Sequence, residues 1–440
     1  MLFSTGDLTS SLPLAIQMFF QLYFLTDVAR LSPASAGWIL GISRAWDAIN
    51  DPLVGFLSDR IRSKHGRRRV LLLYGSVPLG VLFALNWLVP PFSENFLVVY
   101  YTTIIIAFDT AFTVVHVGYN SLTPGMTQDY DERSSLNGYR MGFSLGGTLG
   151  AIIFASLLDE FLDSESVRFA LIGVTLGIIT IIPPWVVMAV AKESDTSNAK
   201  SNLSVRESLV STLRNRAFLF LMAIYLLSWT AASILAAMLV YLARYYFLVP
   251  EQANYFVLVA EGSAIAFLPV TVWMSKKTDK QTAYIAGIAF WCIVLGTIAA
   301  LDRQSIGWAY CLSALCGPGI ATALVIPWAM VPDIIEDDQL RTGERREGTF
   351  YSLVAFFQKL GTGLALWFIG QALAATGYLT PTEAMPVPTQ PEPVINAIRI
   401  IIGPITIALL CVSLPIAWFY PIDRETHHRQ LEALNSGSPD

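Results

Sequence analysis

The chain has 440 residues, of which 54% are hydrophobic and only 14% charged, with a formal net charge of −5. A soluble domain carries roughly 25% charged residues, so the composition excludes an ordinary soluble protein, and the balance offers no basic footprint for nucleic acid. The summed charge decides nothing further, because in a membrane chain charge acts loop by loop.

Apolar windows long enough to cross a bilayer core recur about twelve times. They lie near 9–30, 34–58, 70–89, 96–122, 136–158, 168–191, 217–246, 252–274, 282–301, 305–332, 348–376 and 394–420. No basic n-region with a short apolar core and cleavage site precedes the first window, so it reads as a membrane helix rather than a signal peptide.

The second window carries Arg44-Ala-Trp-Asp-Ala-Ile-Asn-Asp-Pro52. Arg44, Asp47 and Asp51 are spaced i, i+3, i+7, which puts all three on one helical face. A charge in hydrocarbon costs at least about 2.5–3.5 kcal/mol, and residues that bear this cost line pathways or ion sites. Asn50 adds an amide oxygen, and Pro52 frees the carbonyl of residue 48. A cluster of hard oxygen ligands inside a membrane reads as a cation site.

The loop that follows, Asp59-Arg-Ile-Arg-Ser-Lys-His-Gly-Arg-Arg-Arg69, is strongly basic. Other even-numbered loops also carry Lys or Arg, at Arg133, Arg206, Lys276, Lys277, Arg341, Arg345 and Arg346 among others, whereas the fifth loop, 159–165, is acidic. The positive-inside rule then predicts cytoplasmic termini and a multi-pass protein of the plasma (inner) membrane. The fourth window carries Asp109, Thr113, His116 and Asn120, spaced 4, 3 and 4, a single polar stripe. Thr and Asn in membrane helices often only join neighbouring helices, but Asp109 and His116 in the same stripe favour a site. Arg140, in the fifth window, reads as a partner for a carboxylate or as an arginine snorkelling to the surface.

A polar linker near 192–202 divides the chain, and 203–216 could form a short surface helix. The expected organisation is a six-helix bundle over 1–191, a cytoplasmic linker over 192–216, a second bundle over 217–424 and a tail over 425–440. A faint echo between 55–60 and 273–280 supports a repeat. Glu261 stands alone in its window, and Arg399 is expected to snorkel. Polarity makes 331–341 read as a charged loop, in which Asp333 and Glu336, with Arg345 beyond, could form cytoplasmic salt bridges to Arg133 or to the basic loop. Lys359 lies well inside the eleventh window and needs an anionic partner. The four cysteines all fall in apolar segments and read as packing residues. The tail beyond 425 is polar and reads as disordered.

No Gly-x-x-x-x-Gly-Lys-Ser/Thr loop is present, which argues against ATP-driven pumping. The one pair resembling a nucleophile and base, His116 and Ser121, falls on different helical faces, which argues against an enzyme. The stretch 44–55, the basic loop ending Gly66-Arg-Arg-Arg69 and Pro332-Asp-Ile-Ile-Glu336 resemble the glycoside–pentoside–hexuronide:cation symporters, the family of melibiose permease within the major facilitator superfamily. Some positions look closer to its sodium-dependent lysophosphatidylcholine symporter branch: Asp109, Thr113, His116-Val117 with Tyr119, Tyr139-Arg-Met141, Pro327-Trp-Ala-Met330 and Tyr420-Pro-Ile-Asp423.

The resemblance implies an all-α membrane protein with twelve transmembrane helices in two six-helix bundles. It implies a cation site of Asp47, Asn50, Asp51 and Thr113, with Na+ on Asp47, Asp51 and Thr113. Substrate positions would be Ser11, Asp109, His116, Asn120, Arg140 and Lys359, and gating positions Arg44, Arg133, Asp333, Glu336 and Arg345. Ser11 and His116 stand where melibiose permease has sugar-binding aspartates, and Asn120 where it has a stacking tryptophan. The expected function is Na+- or H+-coupled symport of a small organic solute, a sugar or glycoside, by a monomer in the lipid bilayer without a cofactor. The alternative is a lysophospholipid.

Overall fold

A computed structural model describes residues 1–58, 63, 66, 68–123, 126, 129–191, 205–342, 346–382, 385–427 and 429–430, without the side chains of 56, 130, 131, 133, 134 and 205–209. Among the described residues the regular structure is entirely helical. The helices are α1 (Leu2–Val28), α2 (Pro33–Ser58), α3 (Arg69–Asn86), α4 (Glu94–Leu122), α5 (Tyr130–Phe161) and α6 (Glu165–Val190). A short α7 (Val205–Arg214) follows. Then come α8 (Arg216–Tyr246), α9 (Pro250–Lys277), α10 (Lys280–Ala300), α11 (Ile306–Thr342), α12 (Glu347–Ala375) and α13 (Glu392–Trp418).

Eleven of these are long and apolar enough to cross a membrane. The twelfth crossing is α2, 26 residues long, whose charged residues lower its hydropathy. Among the described residues this gives the twelve transmembrane helices that the sequence leads one to expect. The exposed side of α6 shows the membrane setting directly. Val174, Ile178, Ile182 and Trp185, spaced at helical intervals, are all at least 40% exposed. In water such a stripe would be a large apolar patch, whereas lipid is its natural solvent.

Polar residues set several boundaries. Asp129 caps α5, its side chain accepting from the Glu132 N–H at 2.9 Å, and Asp279 caps α10 through the Thr282 N–H at 2.6 Å. The stretch 331–341, expected as a loop, instead continues α11 to Thr342. Pro332 costs that helix one hydrogen bond without ending it. The acidic side chains are answered locally: Lys280 on Asp333, Arg341 on Asp337 and Arg346 on Asp338. Arg133, expected in a loop, lies within α5.

Two helix ends share an unusual construction. α1 finishes in a π-helical turn, Phe24–Val28, and α8 in another, Leu242–Tyr246. In the first, Ala29 N donates to Phe24 O at 2.8 Å and Leu31 N to Leu25 O at 2.9 Å. In the second, Phe247 N donates to Leu242 O and Val249 N to Ala243 O, both at 3.0 Å. Each closes on a residue with positive φ, Arg30 at 59° and Leu248 at 57°, a conformation that costs a side-chain-bearing residue about 1–2 kcal/mol. The same backbone device thus recurs at the ends of the first and seventh crossings.

The chain forms two compact units. One comprises Met1–Ser197, Ala236–Leu258 and Leu366–Ile398, and the other Asn198–Leu235, Val259–Ala365 and Arg399–Asp440. The first has an aromatic core in which Phe24, Trp87 and Phe169 meet with ring centroids 5.0–5.5 Å apart. In the same unit α3 and α6 approach backbone to backbone. A Cβ placed on Gly80 would meet Gly177 O at 2.4 Å, and one on Gly177 would meet Gly80 O at 2.5 Å. Small residues permit such close helix packing in membranes. Gly177→Val should therefore destabilise the protein by about 1–3 kcal/mol, read as a lower thermal midpoint in detergent. An unchanged midpoint would mean that this contact contributes little.

Candidate functional site

The polar faces of α2 and α4 meet inside the first unit. Asp47 and Asn50 are nearly inaccessible, at 4% and 2% exposure, as are Asp109 and Thr113, at 2% each. The Thr113 hydroxyl donates to Asp51 Oδ1 at 2.9 Å and lies 3.5 Å from Asp47 Oδ1. Arg44 sits between two carboxylates, its Nη1 3.8 Å from Asp47 Oδ2 and 3.7 Å from Asp109 Oδ1. Asn50 Nδ2 donates to the Asp109 carbonyl at 3.4 Å. Here two carboxylates flank one guanidinium, a third, Asp51, joins through the Thr113 hydroxyl, and the Asn50 amide stands beside them. That donor set suits a hard monovalent cation. Among the described residues no group of three or more His, Cys, Asp or Glu side chains is placed to hold a metal ion, so an ion here would also need the Thr113 and Asn50 oxygens.

Farther along the same stripe, His116 and Asn120 enter a second polar cluster. Ser10 Oγ lies 3.2 Å from His116 Nδ1, and Asn120 Nδ2 lies 2.7 Å from His116 Nε2. Asn120 Oδ1 accepts from Arg140 Nη2 at 2.9 Å. Arg140 in turn forms a two-point pair with Asp7, Nε to Oδ2 at 2.8 Å and Nη2 to Oδ1 at 3.1 Å. The Tyr119 hydroxyl donates to the same carboxylate at 2.6 Å, and the guanidinium lies 4.7 Å from the centroid of the Tyr119 ring. Phe112 stacks on His116 at 5.4 Å. The bond from Arg140 orients the Asn120 amide, so its N–H₂ points at His116. Nε2 must then accept, which leaves the imidazole proton on Nδ1, directed at Ser10.

The structure thus brings Asp47, Asn50, Asp51, Asp109 and Thr113 together with Arg44, and His116, Asn120 and Arg140 together with Ser10. Ser11 lies elsewhere, against α5, where a Cβ added to Gly147 would meet its Oγ at 2.1 Å. Asp7 escaped sequence reasoning altogether. Its only early sign is an acidic residue ahead of the first apolar window, and Arg140 supplies the reason for it. Tyr119 and Ser10 were legible only as neighbours of marked residues.

Lys359 lies near the middle of α12, half-buried, in the second unit. One turn on, Thr362 accepts from Trp229 Nε1 at 2.8 Å. Asp333 binds Lys280 Nζ at 2.6 Å. Glu336 faces His427 Nε2 at 2.8 Å, and His427 also lies 3.5 Å from Asp333. Of the tail expected to be disordered, Gln430 donates its amide to Asp337 Oδ1 at 2.8 Å, and 431–440 lie outside the described residues. Arg345 and the side chain of Arg133 lie outside the described residues. The neighbouring Arg346 is buried against Asp338, with contacts of 2.6–2.9 Å. Arg399 donates to the Ala299 carbonyl at 2.6 Å.

Twelve crossings with buried ionisable groups on adjacent faces define an integral, multi-pass membrane protein of the transporter class. A family model described as MFS/sugar transport protein matches residues 2–424, and the chain belongs to that family, within the major facilitator superfamily. It is 30% identical to the uncharacterized symporter sll1374 of Synechocystis sp., covering 98% of this chain and 96% of that one. It is 27% identical to sodium-dependent lysophosphatidylcholine symporter 1-A of Danio rerio, over 94% of this chain and 84% of that protein. It is 25% identical to the Escherichia coli protein named glycoside/cation symporter YagG, over 88% and 84%. Among solved structures, nucleoside transporter NupG superposes with a TM-score of 0.66 at 11% identity, covering 96% of this chain and 98% of that one.

The hydrogen-bond chain makes one direct prediction. In ¹⁵N-histidine-labelled protein, the His116 signal lost in His116→Gln should report a neutral ring protonated at Nδ1. A proton on Nε2 would show that the Asn120 amide is turned the other way.

Proposed function

We propose that this protein is a cation-coupled secondary symporter that moves a small polar solute, a sugar or glycoside, by alternating access. The observation that carries this reading is the shared face of α4. Thr113 on that face touches Asp51 and approaches Asp47, while His116 and Asn120 on the same stripe lead to Arg140 and Asp7. An ion and a solute bound along one stripe would act on the same helix.

The coupling ion would be Na+ or H+. Na+ would take oxygens of Asp47, Asp51 and Thr113, with Asn50 beside them. Arg44 then holds the remaining carboxylate charge between Asp47 and Asp109. Neighbouring carboxylates in a low-dielectric interior repel one another, and a bound cation would relieve that repulsion. Occupancy of the ion site would therefore change the energy of the helices that also hold the solute, which is the coupling that symport needs. The solute would meet Ser10, His116, Asn120 and Arg140, an alternation of donors and acceptors that suits a polyol. Lys359 adds a positive charge in the middle of α12. Asp333 and Glu336, held by Lys280 and His427, would make and break contacts as the protein changes state.

By the positive-inside rule, the termini and the basic loop would face the cytoplasm across the plasma membrane. The lysophosphatidylcholine symporters among the relatives give a second reading, in which an amphiphile replaces the sugar.

Uptake into proteoliposomes under an imposed Na+ gradient tests both readings. Radiolabelled neutral mono- and disaccharides would be compared with lysophosphatidylcholine, with a proton gradient as the second driving force. Sugar accumulation should appear and fall at least about tenfold in Asp51→Asn, a loss of roughly 1.4 kcal/mol or more of coupling. Full cation-driven uptake by Asp51→Asn would refute the assignment of the ion site. Movement of the lysolipid alone would move the protein to the second reading.

A further inference from the structure

Asp27 is buried at the end of α1, at 3% exposure, and has no part in either cluster on α4. It gathers hydroxyl donors from three stretches of chain. Thr26 Oγ1 donates to Oδ2 at 2.5 Å. Tyr378 donates to Oδ1 and Oδ2 at 2.9 and 2.8 Å, and Tyr245 also donates to Oδ1. Thr26 further contacts the Tyr241 hydroxyl at 2.6 Å, and the rings of Tyr241, Tyr245 and Tyr378 pack together at 5.7–6.3 Å.

A ring of ion pairs surrounds this knot. Arg244 Nη2 lies 2.6 Å from Glu165 Oε1, the Tyr23 hydroxyl donates to Glu165 Oε2 at 2.7 Å, and Arg168 pairs with Asp159. Beside it lies a cavity of about 760 Å³ lined by Asp27, Glu165, Arg168, Arg244, Glu251 and Tyr255 among others.

We propose that Asp27, Tyr245 and Tyr378 form a latch that closes the protein at the end of α1 remote from its N-terminus and opens during each transport cycle. The inference rests on the transport reading given above. A permanent contact between helices is made more cheaply by apolar side chains than by a buried carboxylate. Hydroxyl–carboxylate bonds, by contrast, can be exchanged for bonds to water when the site is wetted. The backbone is built to release them. Asp27 and Tyr245 each stand in a π-helical turn that ends on a left-handed residue, and Tyr378 follows Gly377, whose φ is 82°. All three side chains are thus carried on helix ends rather than helix interiors, where small dihedral changes swing a side chain away. The neighbouring hollow supplies the water that would replace them.

Losing one hydrogen bond to an ionised acceptor shifts a two-state equilibrium by roughly tenfold or more. The test uses full-length protein in nanodiscs with the native cysteines replaced by serine. Spin labels are placed at Asp163→Cys and Glu251→Cys, two exposed positions lining the hollow. Distances from double electron–electron resonance are compared between the intact latch, Tyr245→Phe/Tyr378→Phe and Asp27→Asn. The tyrosine variant removes hydroxyls without changing ring volume, so it carries the test even if Asp27→Asn folds poorly.

In the variants, the widely separated population should grow at least about tenfold relative to the close one. An unchanged distribution in monodisperse tyrosine variant would overturn the latch. The measurement needs neither solute nor coupling ion. Absent uptake would therefore count against the symport reading alone, and unmoved distances against the latch alone.

Discussion

A charge can stand inside a membrane helix only where another group answers it, and this requirement organises the protein. Arg44 is placed between Asp47 and Asp109. Arg140 takes Asp7 in two-point geometry, and Asp338 is buried with Arg346. Each answer ties two stretches of chain together, so the cost of burying charge is converted into specific positions for α1, α2, α4 and α5. Lipid supplies no hydrophobic force between these helices. The remaining cohesion comes from close approach, as at Gly80 and Gly177, and from aromatic packing around Trp87 and Phe169.

The parts legible in the sequence are those set by short-range geometry. Apolar runs gave the crossings, and helical spacing put Asp47, Asn50 and Asp51 on one face and Asp109, Thr113, His116 and Asn120 on another. What remained hidden is tertiary. Asp7 and Arg140 are 133 positions apart and Asp27 and Tyr378 are 351 apart, so no local pattern marks either pair. The choice between Ser10 and Ser11 also turned on helix rotation. Adjacent residues point about 100° apart, and only packing shows that Ser10 meets His116 while Ser11 faces Gly147. The stretch 331–341 misled for a different reason. Polarity was read as loop, yet a helix leaving the membrane can stay helical when its acids find cations, as Asp333 and Asp338 do.

The two clusters on α4 differ in kind. Around Thr113 the described groups are mainly oxygen acceptors, Asp47, Asp51 and Asp109, with Arg44 between two of them. Around His116, the Asp7–Arg140 pair is already neutral, and every named group both holds and is held. A neutral solute entering that cluster can exchange one set of hydrogen bonds for another without leaving a charge unanswered. An anion would displace Asp7 from Arg140 and leave a partly buried carboxylate without its cation. On the proposed reading this balance favours an uncharged or internally balanced solute, which both polyols and zwitterionic headgroups satisfy.

The two π-helical turns at the ends of α1 and α8 share a backbone and differ in side chain. Their backbones match bond for bond, down to the left-handed residue that closes each, yet Asp27 and Tyr245 occupy the same place in the two turns. Had both been acids, two carboxylates would face each other in a buried space. Had both been tyrosines, no charge would strengthen the bond. The same register sets Ile265 and Pro269 where α2 has Asp47 and Asp51. At each of these positions one place in the register carries the acid and its counterpart does not. Tyr245 and Tyr378 accordingly meet Asp27 as hydroxyl donors rather than as a second acid.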